Sequence, residues 1–131
     1  MNHIKMYIIA LIIFLILDGI WLLLISKNLY SKEIGHLMAD NANIFVALIF
    51  YLVFLVGLVY FVISPGIESG NVLKLITGAI LFGFVTYATY DLTNLATLKA
   101  WPIKITIIDL IWGTFLSTAV SYLTYIIYKI I

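Results

Sequence analysis

The sequence predicts an all-α protein, an integral membrane four-helix bundle with a short interfacial helix in its first connection. Of the 131 residues, 65% are hydrophobic and only 10% are charged, and the mean hydropathy is +1.21. Soluble domains carry roughly a quarter charged residues. A helix needs about 20 consecutive apolar residues to cross a bilayer core of about 30 Å. The chain contains four such runs and little else, which predicts a single transmembrane domain over residues 1–131.

The four runs predict spans at residues 4–26, 44–64, 72–98 and 103–128. The first run resembles a signal peptide in position, but it is too long, contains Asp18 and lacks a small-residue cleavage site. We therefore expect a permanent span there. Ser64-Pro65-Gly66, together with Glu68, Ser69 and Gly70, predicts a tight turn between the second and third spans. Trp101-Pro102 predicts a very short turn before the fourth, with the Trp101 indole at headgroup level.

The first connection, from Lys27 to Asn43, is the only long one. Helical spacing of apolar and aromatic residues in it predicts a short helix at the membrane interface. The residues at this spacing are Tyr30, Ile34, Leu37 and Met38. Glu33, His36 and Asp40 would share one side of such a helix, where they are candidate ligands for a divalent ion. The alternative is that they form a solvated face.

The distribution of the lysines gives only weak evidence for the orientation of the protein in the membrane. Four spans place both termini on one side, and the first and third connections carry Lys27, Lys32, Lys99 and Lys104. This distribution slightly favours these connections as cytoplasmic. The difference is small, so a dual topology and a homo-oligomer, including an antiparallel pair, stay open.

Three aspartates, Asp18, Asp91 and Asp109, lie inside the predicted spans. At about 1.5 Å per helical residue they lie roughly 13, 12 and 8 Å from the nearest boundary lysine. All three lie toward the same membrane face, because the first and third spans end there and the fourth begins there. A carboxylate at such depth costs about 2.5–3.5 kcal/mol. We therefore predict that the three acids share a polar layer inside the bundle.

Neighbouring polar and aromatic residues extend this layer. Tyr87, Tyr90 and Asn94 recur with Asp91 at spacings of three and four, and so share one helix face. Trp112 lies deep, and its indole N–H needs an acceptor such as a carboxylate. The candidate polar-site residues are Asp18, Trp21, Tyr87, Tyr90, Asp91, Thr93, Asn94, Asp109 and Trp112.

Four of these residues belong to two similar short segments. DGIW in the first span and DLIW in the fourth each place a tryptophan three residues after an aspartate, on helices that run in opposite directions. Inverted repeats often frame the central site of a transporter. A match this short also arises by chance, so the repeat stays a hypothesis.

The composition limits the chemistry of the layer. Buried carboxyl groups hold protons or share a cation, because low dielectric disfavours isolated charge. Carboxylate oxygens without thiolates suit a hard cation or an organic ammonium, and the faces of Tyr87 and Tyr90 attract cations. The chain has no cysteine. No cofactor, phosphate-binding loop or nucleic-acid patch is indicated. The expected partners are the lipid bilayer, a second copy, a proton, a small cation or a lipid-like ligand.

Several motifs carry a family resemblance. LDGIWL, the second span NIFVALIFYLVFLVGLVYFVISPG, the long segment YATYDLTNLATLKAWP and IDLIWG together cover nearly the whole chain. With them the sequence resembles a family of small bacterial integral membrane proteins known as domain of unknown function 2177. The resemblance implies a four-span, multi-pass protein of the bacterial inner membrane. It brings no established activity, substrate or cofactor.

Three functions are compatible with these observations. In a small proton- or cation-coupled transporter or channel component, the aspartates exchange protons or cations, Asn94 and Thr93 orient them, and the aromatic residues form the walls. In a membrane-embedded enzyme acting on a lipid or isoprenoid, one aspartate is a general acid and another a base or metal ligand. In a non-catalytic assembly subunit, the layer only holds helices together. Protonatable acids at one depth favour transport, and whether the protein is an enzyme stays open.

Overall fold

The computed structural model describes residues 2–131, which form five helices and contain no strand. The long helices are α1 (His3–Ile25), α3 (Ile44–Ser69), α4 (Val72–Thr97) and α5 (Ile103–Ile130). The short helix α2 (Lys27–Ile34) lies in the first connection and is followed by a 3-10 turn, Gly35–Leu37. The prediction of an all-α membrane bundle with a short helix in the first connection is confirmed.

The four long helices are long and apolar enough to cross a membrane. Large apolar side chains cover their outer surfaces, and some are almost fully exposed, such as Leu24 at 79%. Soluble monomers rarely expose contiguous apolar surface of this extent to water. The chain is therefore a multi-pass membrane protein whose outer surface contacts lipid.

The predicted turn from Ser64 to Gly70 is shorter in the structure, where it forms at Gly70 and does not include Ser64-Pro65-Gly66. Helix α3 continues through these residues to Ser69 and ends at Gly70, whose φ of 65° is the left-handed conformation that glycine adopts without strain. A π-helical turn, Val59–Ile63, precedes the proline. Proline is tolerated in the first turn of a helical segment, and the wider π-turn begins such a segment here. A similar π-turn, Trp21–Ile25, ends α1.

The closest helix pair in the bundle is α4 with α5. A Cβ atom added to Gly83 of α4 would lie 2.6 Å from the carbonyl oxygen of Gly113 on α5. The two backbones therefore meet directly at these glycines, as small residues permit in membrane helices. Helix α1 packs against α5 on another side.

The first half of α3 lies apart from this core. Every residue from 44 to 50 is exposed, and the buried residues of this helix begin at Phe54. The second half of α3 joins the core through Leu55, Leu58 and Ile63, which are fully buried. The bundle is thus closed near the chain termini and open around the first half of α3.

Candidate functional site

A cavity of about 400 Å³ lies beside the first half of α3, in the size range of small-molecule sites. All five helices contribute to its wall. The lining residues are Asp18, Trp21 and Leu22 of α1, Tyr30 of α2, Ala47, Phe50 and Tyr51 of α3, Thr86, Tyr87, Tyr90 and Asp91 of α4, and Asp109 and Trp112 of α5.

The structure brings together seven of the nine candidate polar-site residues. The three aspartates, Trp21, Trp112, Tyr87 and Tyr90 all line the cavity. Thr93 and Asn94 do not line it, since Thr93 is exposed and Asn94 is half-buried one turn nearer the end of α4. Asn94 adjoins the side chain of Tyr90, which does line the cavity. Whether the cavity binds a ligand stays a prediction.

The two DxIW segments meet across the cavity. The rings of Trp21 and Trp112 stack with centroids 4.5 Å apart and planes 9° from parallel. Trp112 Nε1 donates a hydrogen bond to Asp18 Oδ1 at 3.1 Å, so the tryptophan of one segment satisfies the aspartate of the other. Trp21 Nε1 donates to the hydroxyl of Tyr30 at 3.2 Å, and that hydroxyl donates to Asp109. Trp21 is thus linked to Asp109 through the Tyr30 hydroxyl, whereas Trp112 contacts Asp18 directly.

Tyr30 makes α2 part of the site. Burial and then the adjoining Asp109 carboxyl group raise the pKa of Tyr30 well above its ordinary value of 10.0. The hydroxyl therefore keeps its proton at any physiological pH and remains a donor to Asp109. An ion pair between Lys104 Nζ and Glu33 Oε1, 3.5 Å apart, also holds α2 to the start of α5.

Asp91 differs from the other two acids in lacking any donor. Its side chain is 0% exposed, and among residues 2–131 no group donates a hydrogen bond to either carboxylate oxygen. Its carboxyl group adjoins that of Asp109. Two carboxyl groups can hydrogen-bond to each other only when one of them holds a proton. In low dielectric the repulsion between two adjoining carboxylates disfavours the state in which both are ionised.

The predicted divalent-ion site at Glu33, His36 and Asp40 is wrong. Helix α2 ends at Ile34, and Asp40 lies in a non-helical stretch beyond the 3-10 turn, so the shared helix face does not form. Within the part of the chain that the structure describes, no three His, Asp or Glu side chains are placed to hold one metal ion. This statement also covers the three cavity aspartates, which do not form a single metal shell.

Sequence reasoning missed six lining residues, of which two are polar and adjoin an aspartate. Tyr30 was assigned only to the interfacial helix, because nothing in the sequence indicates that α2 folds back against α5. Tyr51 adjoins Asp18, and a hydroxyl in so apolar a run was the available signal. The others are Leu22, Ala47, Phe50 and Thr86.

Replacing Tyr30 with phenylalanine is expected to lower the unfolding free energy by about 1–3 kcal/mol. The change removes the donor to Asp109 and the acceptor for Trp21 Nε1. Equilibrium unfolding in mixed SDS micelles measures the difference. Tyr60→Phe is the matched control, since the Tyr60 hydroxyl is exposed and has no hydrogen bond to the described residues, and it should change stability by less than about 0.5 kcal/mol. Equal effects of the two variants would contradict the role given to Tyr30.

Comparison with protein-family models yields a match over residues 3–126 to the model described as "Predicted membrane protein (DUF2177)". This is the family that the motifs quoted above indicate. Comparisons with curated proteins and with solved structures yield no match.

Proposed function

We propose, for a chain that belongs to the DUF2177 family of predicted membrane proteins, that the cavity binds a small organic cation and that the protein is a small transporter exchanging this cation for protons. One observation carries the proposal. Asp91 is fully buried, has no hydrogen-bond donor among the described residues, adjoins Asp109 and lines the cavity. A buried carboxylate in that position is costly unless a proton or a cation neutralises it.

The cavity wall favours an organic cation over a metal ion. A hard metal ion takes about six or more oxygen ligands at once, whereas no three acids of the described chain converge on one ion. Aromatic faces attract organic cations, most strongly when water is excluded. The stacked Trp21 and Trp112, together with Tyr87 and Tyr90, supply such faces beside the carboxyl groups. An organic cation also brings to Asp91 the positive charge that a buried carboxylate needs.

Exchange follows from competition for the same carboxyl groups. A bound monovalent cation takes the place of the one proton that Asp91 and Asp109 share, so the proton is released and the net charge of the site does not change. When the cation leaves, a proton returns, because the empty pair cannot stay doubly charged in low dielectric. In a bacterial inner membrane, where we place the protein, a proton gradient then drives cation movement. The first half of α3, which lies apart from the core, is the element that moves to change access.

Proton flux in reconstituted vesicles tests the proposal. Proteoliposomes containing a trapped pH dye receive an external pulse of benzyltrimethylammonium, a permanently charged probe that cannot cross the membrane as a neutral amine. We expect proton efflux from parent vesicles. Efflux from Asp91→Asn vesicles should be at least roughly tenfold slower, which corresponds to an increase of about 1.4 kcal/mol or more in the activation free energy. Asp40→Asn, which changes an exposed acid outside the cavity, should leave the rate unchanged.

The outcomes separate the alternatives. If parent vesicles release protons no faster than protein-free vesicles, the transport proposal fails. If, in addition, the probe does not change the tryptophan fluorescence of the protein in detergent, cation binding fails too. The acids would then act only in holding helices together, as in an assembly subunit.

A membrane-embedded enzyme acting on a lipid or isoprenoid is the second candidate. The lining residues Leu22, Ala47 and Phe50 are exposed on spanning helices, so lipid contacts the cavity rim. Asp91, which is fully buried and has no donor, would act as the acid, and Asp109, which accepts a hydrogen bond from Tyr30, would act as the base. Incubation with extracted bacterial lipids, followed by mass spectrometry, tests this function: a product that parent protein forms and Asp109→Asn does not would support it, and no product would contradict it.

A further inference from the structure

The mouth of the cavity lies within the spanning helices. Its exposed lining residues are Leu22, Ala47, Phe50 and Tyr90. At about 1.5 Å per residue, Ala47 and Phe50 lie about 5 and 9 Å from the start of α3, and Tyr90 lies about 10 Å from the end of α4. These depths place the opening against lipid in one leaflet, between the first half of α3 and its neighbours.

The opposite, water-facing side of the cavity is covered by α2. The Tyr30 hydroxyl contacts Asp109 and accepts the hydrogen bond from Trp21 Nε1. The ion pair between Lys104 and Glu33 fixes α2 to α5 at the membrane surface. Helix α2 therefore stands between the cavity and water on that side, whereas exposed lining residues border the bilayer.

Polarity changes along that path. The rim residues Leu22, Ala47 and Phe50 are apolar, whereas the deep wall carries Asp91, 0% exposed, and Asp109, 8% exposed. A ligand that enters from lipid first meets hydrocarbon and aromatic surface and then the carboxyl groups. Such a gradient matches a molecule with one apolar end and one cationic end.

We infer that the ligand is an amphiphilic ammonium ion, which enters laterally from the bilayer, places its cationic head between Asp91 and Asp109, and leaves its hydrocarbon chain beside Ala47 and Phe50. This inference rests on the proposed cation site and names the substrate class for it. The same chemistry is found in a membrane lipid with an amine headgroup and in a single-chain amphiphile supplied from outside.

A series of alkyltrimethylammonium ions tests the inference. Tetramethyl-, hexyltrimethyl- and dodecyltrimethylammonium are titrated into the protein in dodecyl maltoside micelles, and binding is followed by tryptophan fluorescence and by thermal stability. We expect affinity to rise by roughly tenfold or more along the series, because each methylene group removed from water adds affinity. Asp91→Asn should not bind any of the three ions. Any signal that remains with this variant therefore measures partition of the ions into the micelles.

Two further measurements separate the effect of the positive charge of the ligand from that of its hydrocarbon chain. Ala47→Trp, which fills the rim without touching the carboxyl groups, should weaken binding of the dodecyl ion at least roughly tenfold and leave the tetramethyl ion unchanged. Dodecanol, with the same chain and no charge, should not bind beyond its partition into the micelles. If Ala47→Trp does not fold, Phe50→Ala, which removes chain contacts, replaces it and should lower the chain-length dependence.

Each result decides a different claim. If tetramethylammonium binds as tightly as dodecyltrimethylammonium, the cation site stands and the amphiphile inference is overturned. If none of the ions binds, the proposed function and this inference both fall. Mass spectrometry of co-purified lipids then distinguishes the sources: enrichment of amine-headgroup lipids in the parent over Asp91→Asn indicates a membrane lipid, and no enrichment indicates an external amphiphile.

Discussion

Replacing Asp91 with asparagine is expected to raise the unfolding free energy of the ligand-free protein by about 1–3 kcal/mol. The aspartate is buried beside Asp109 and neither of its oxygens has a donor in the described chain. Asparagine has nearly the same shape, carries no charge and can donate its amide hydrogens to Asp109. The substitution thus removes the free-energy cost of taking up a proton from neutral solution when the site is empty.

Equilibrium unfolding in mixed SDS micelles at neutral pH measures this change. Asp40→Asn serves as the control, because Asp40 is exposed and outside the cavity, and it should shift stability by less than about 0.5 kcal/mol. With saturating benzyltrimethylammonium the parent should gain stability through ligand binding, whereas the Asp91 variant should not. A variant less stable than the parent without ligand would show that Asp91 holds the helices together, which contradicts the binding role.

Replacing Gly83 with alanine is expected to lower the unfolding free energy by about 1–3 kcal/mol or more. The new methyl group would lie 2.6 Å from the carbonyl oxygen of Gly113 and 2.7 Å from Ser117 Oγ. Real Cβ atoms do not approach a backbone oxygen so closely, so α4 and α5 must separate. Because α4 and α5 have the most extensive contact of any two helices in the bundle, the separation also removes neighbouring packing.

Gly78→Ala is the control on the same helix. Its added methyl group would lie 3.7 Å from a Val62 methyl group, an ordinary van der Waals contact. Both variants change helix propensity equally, so the difference between them isolates the backbone contact. Comparable stability of the two variants would contradict the direct meeting of α4 and α5.

The same glycine pair also shapes the site. A Cβ atom on Gly113 would overlap the ring of Tyr87, which lines the cavity. Tyr87 keeps its position only because Gly113 has no side chain. The tight packing of α4 on α5 and the aromatic wall of the cavity therefore depend on one another.

The fold could be predicted because its main determinant is composition. Four long apolar runs must become helices in lipid, where every backbone polar group needs an internal partner. Pro65 does not end α3, because it lies in the first turn of the helical segment that follows the π-turn Val59–Ile63. A π-turn has no simple sequence pattern, so the true end of α3 at Ser69 could not be read from the chain.

The site could be predicted in part, because helical periodicity locates residues on one helix better than contacts between helices. Tyr87, Tyr90 and Asp91 share a face and do line the cavity. Thr93 lies two residues from Asp91, about 200° around the helix, and accordingly faces away. Tyr30 and Tyr51 were missed because their proximity to Asp109 and Asp18 arises from tertiary packing, which no spacing rule contains.

The hydrogen bond from Trp112 to Asp18 joins the first spanning helix to the last, 94 residues apart in sequence. At a synthesis rate of about 5–20 residues per second, Asp18 waits about 5–20 s for its partner to be made. During that interval Asp18 lacks its Trp112 donor, although the adjoining Tyr51 of α3 is made earlier. A chain that stops before α5 lacks the Trp112 donor permanently, which distinguishes unfinished from finished molecules during quality control in the membrane.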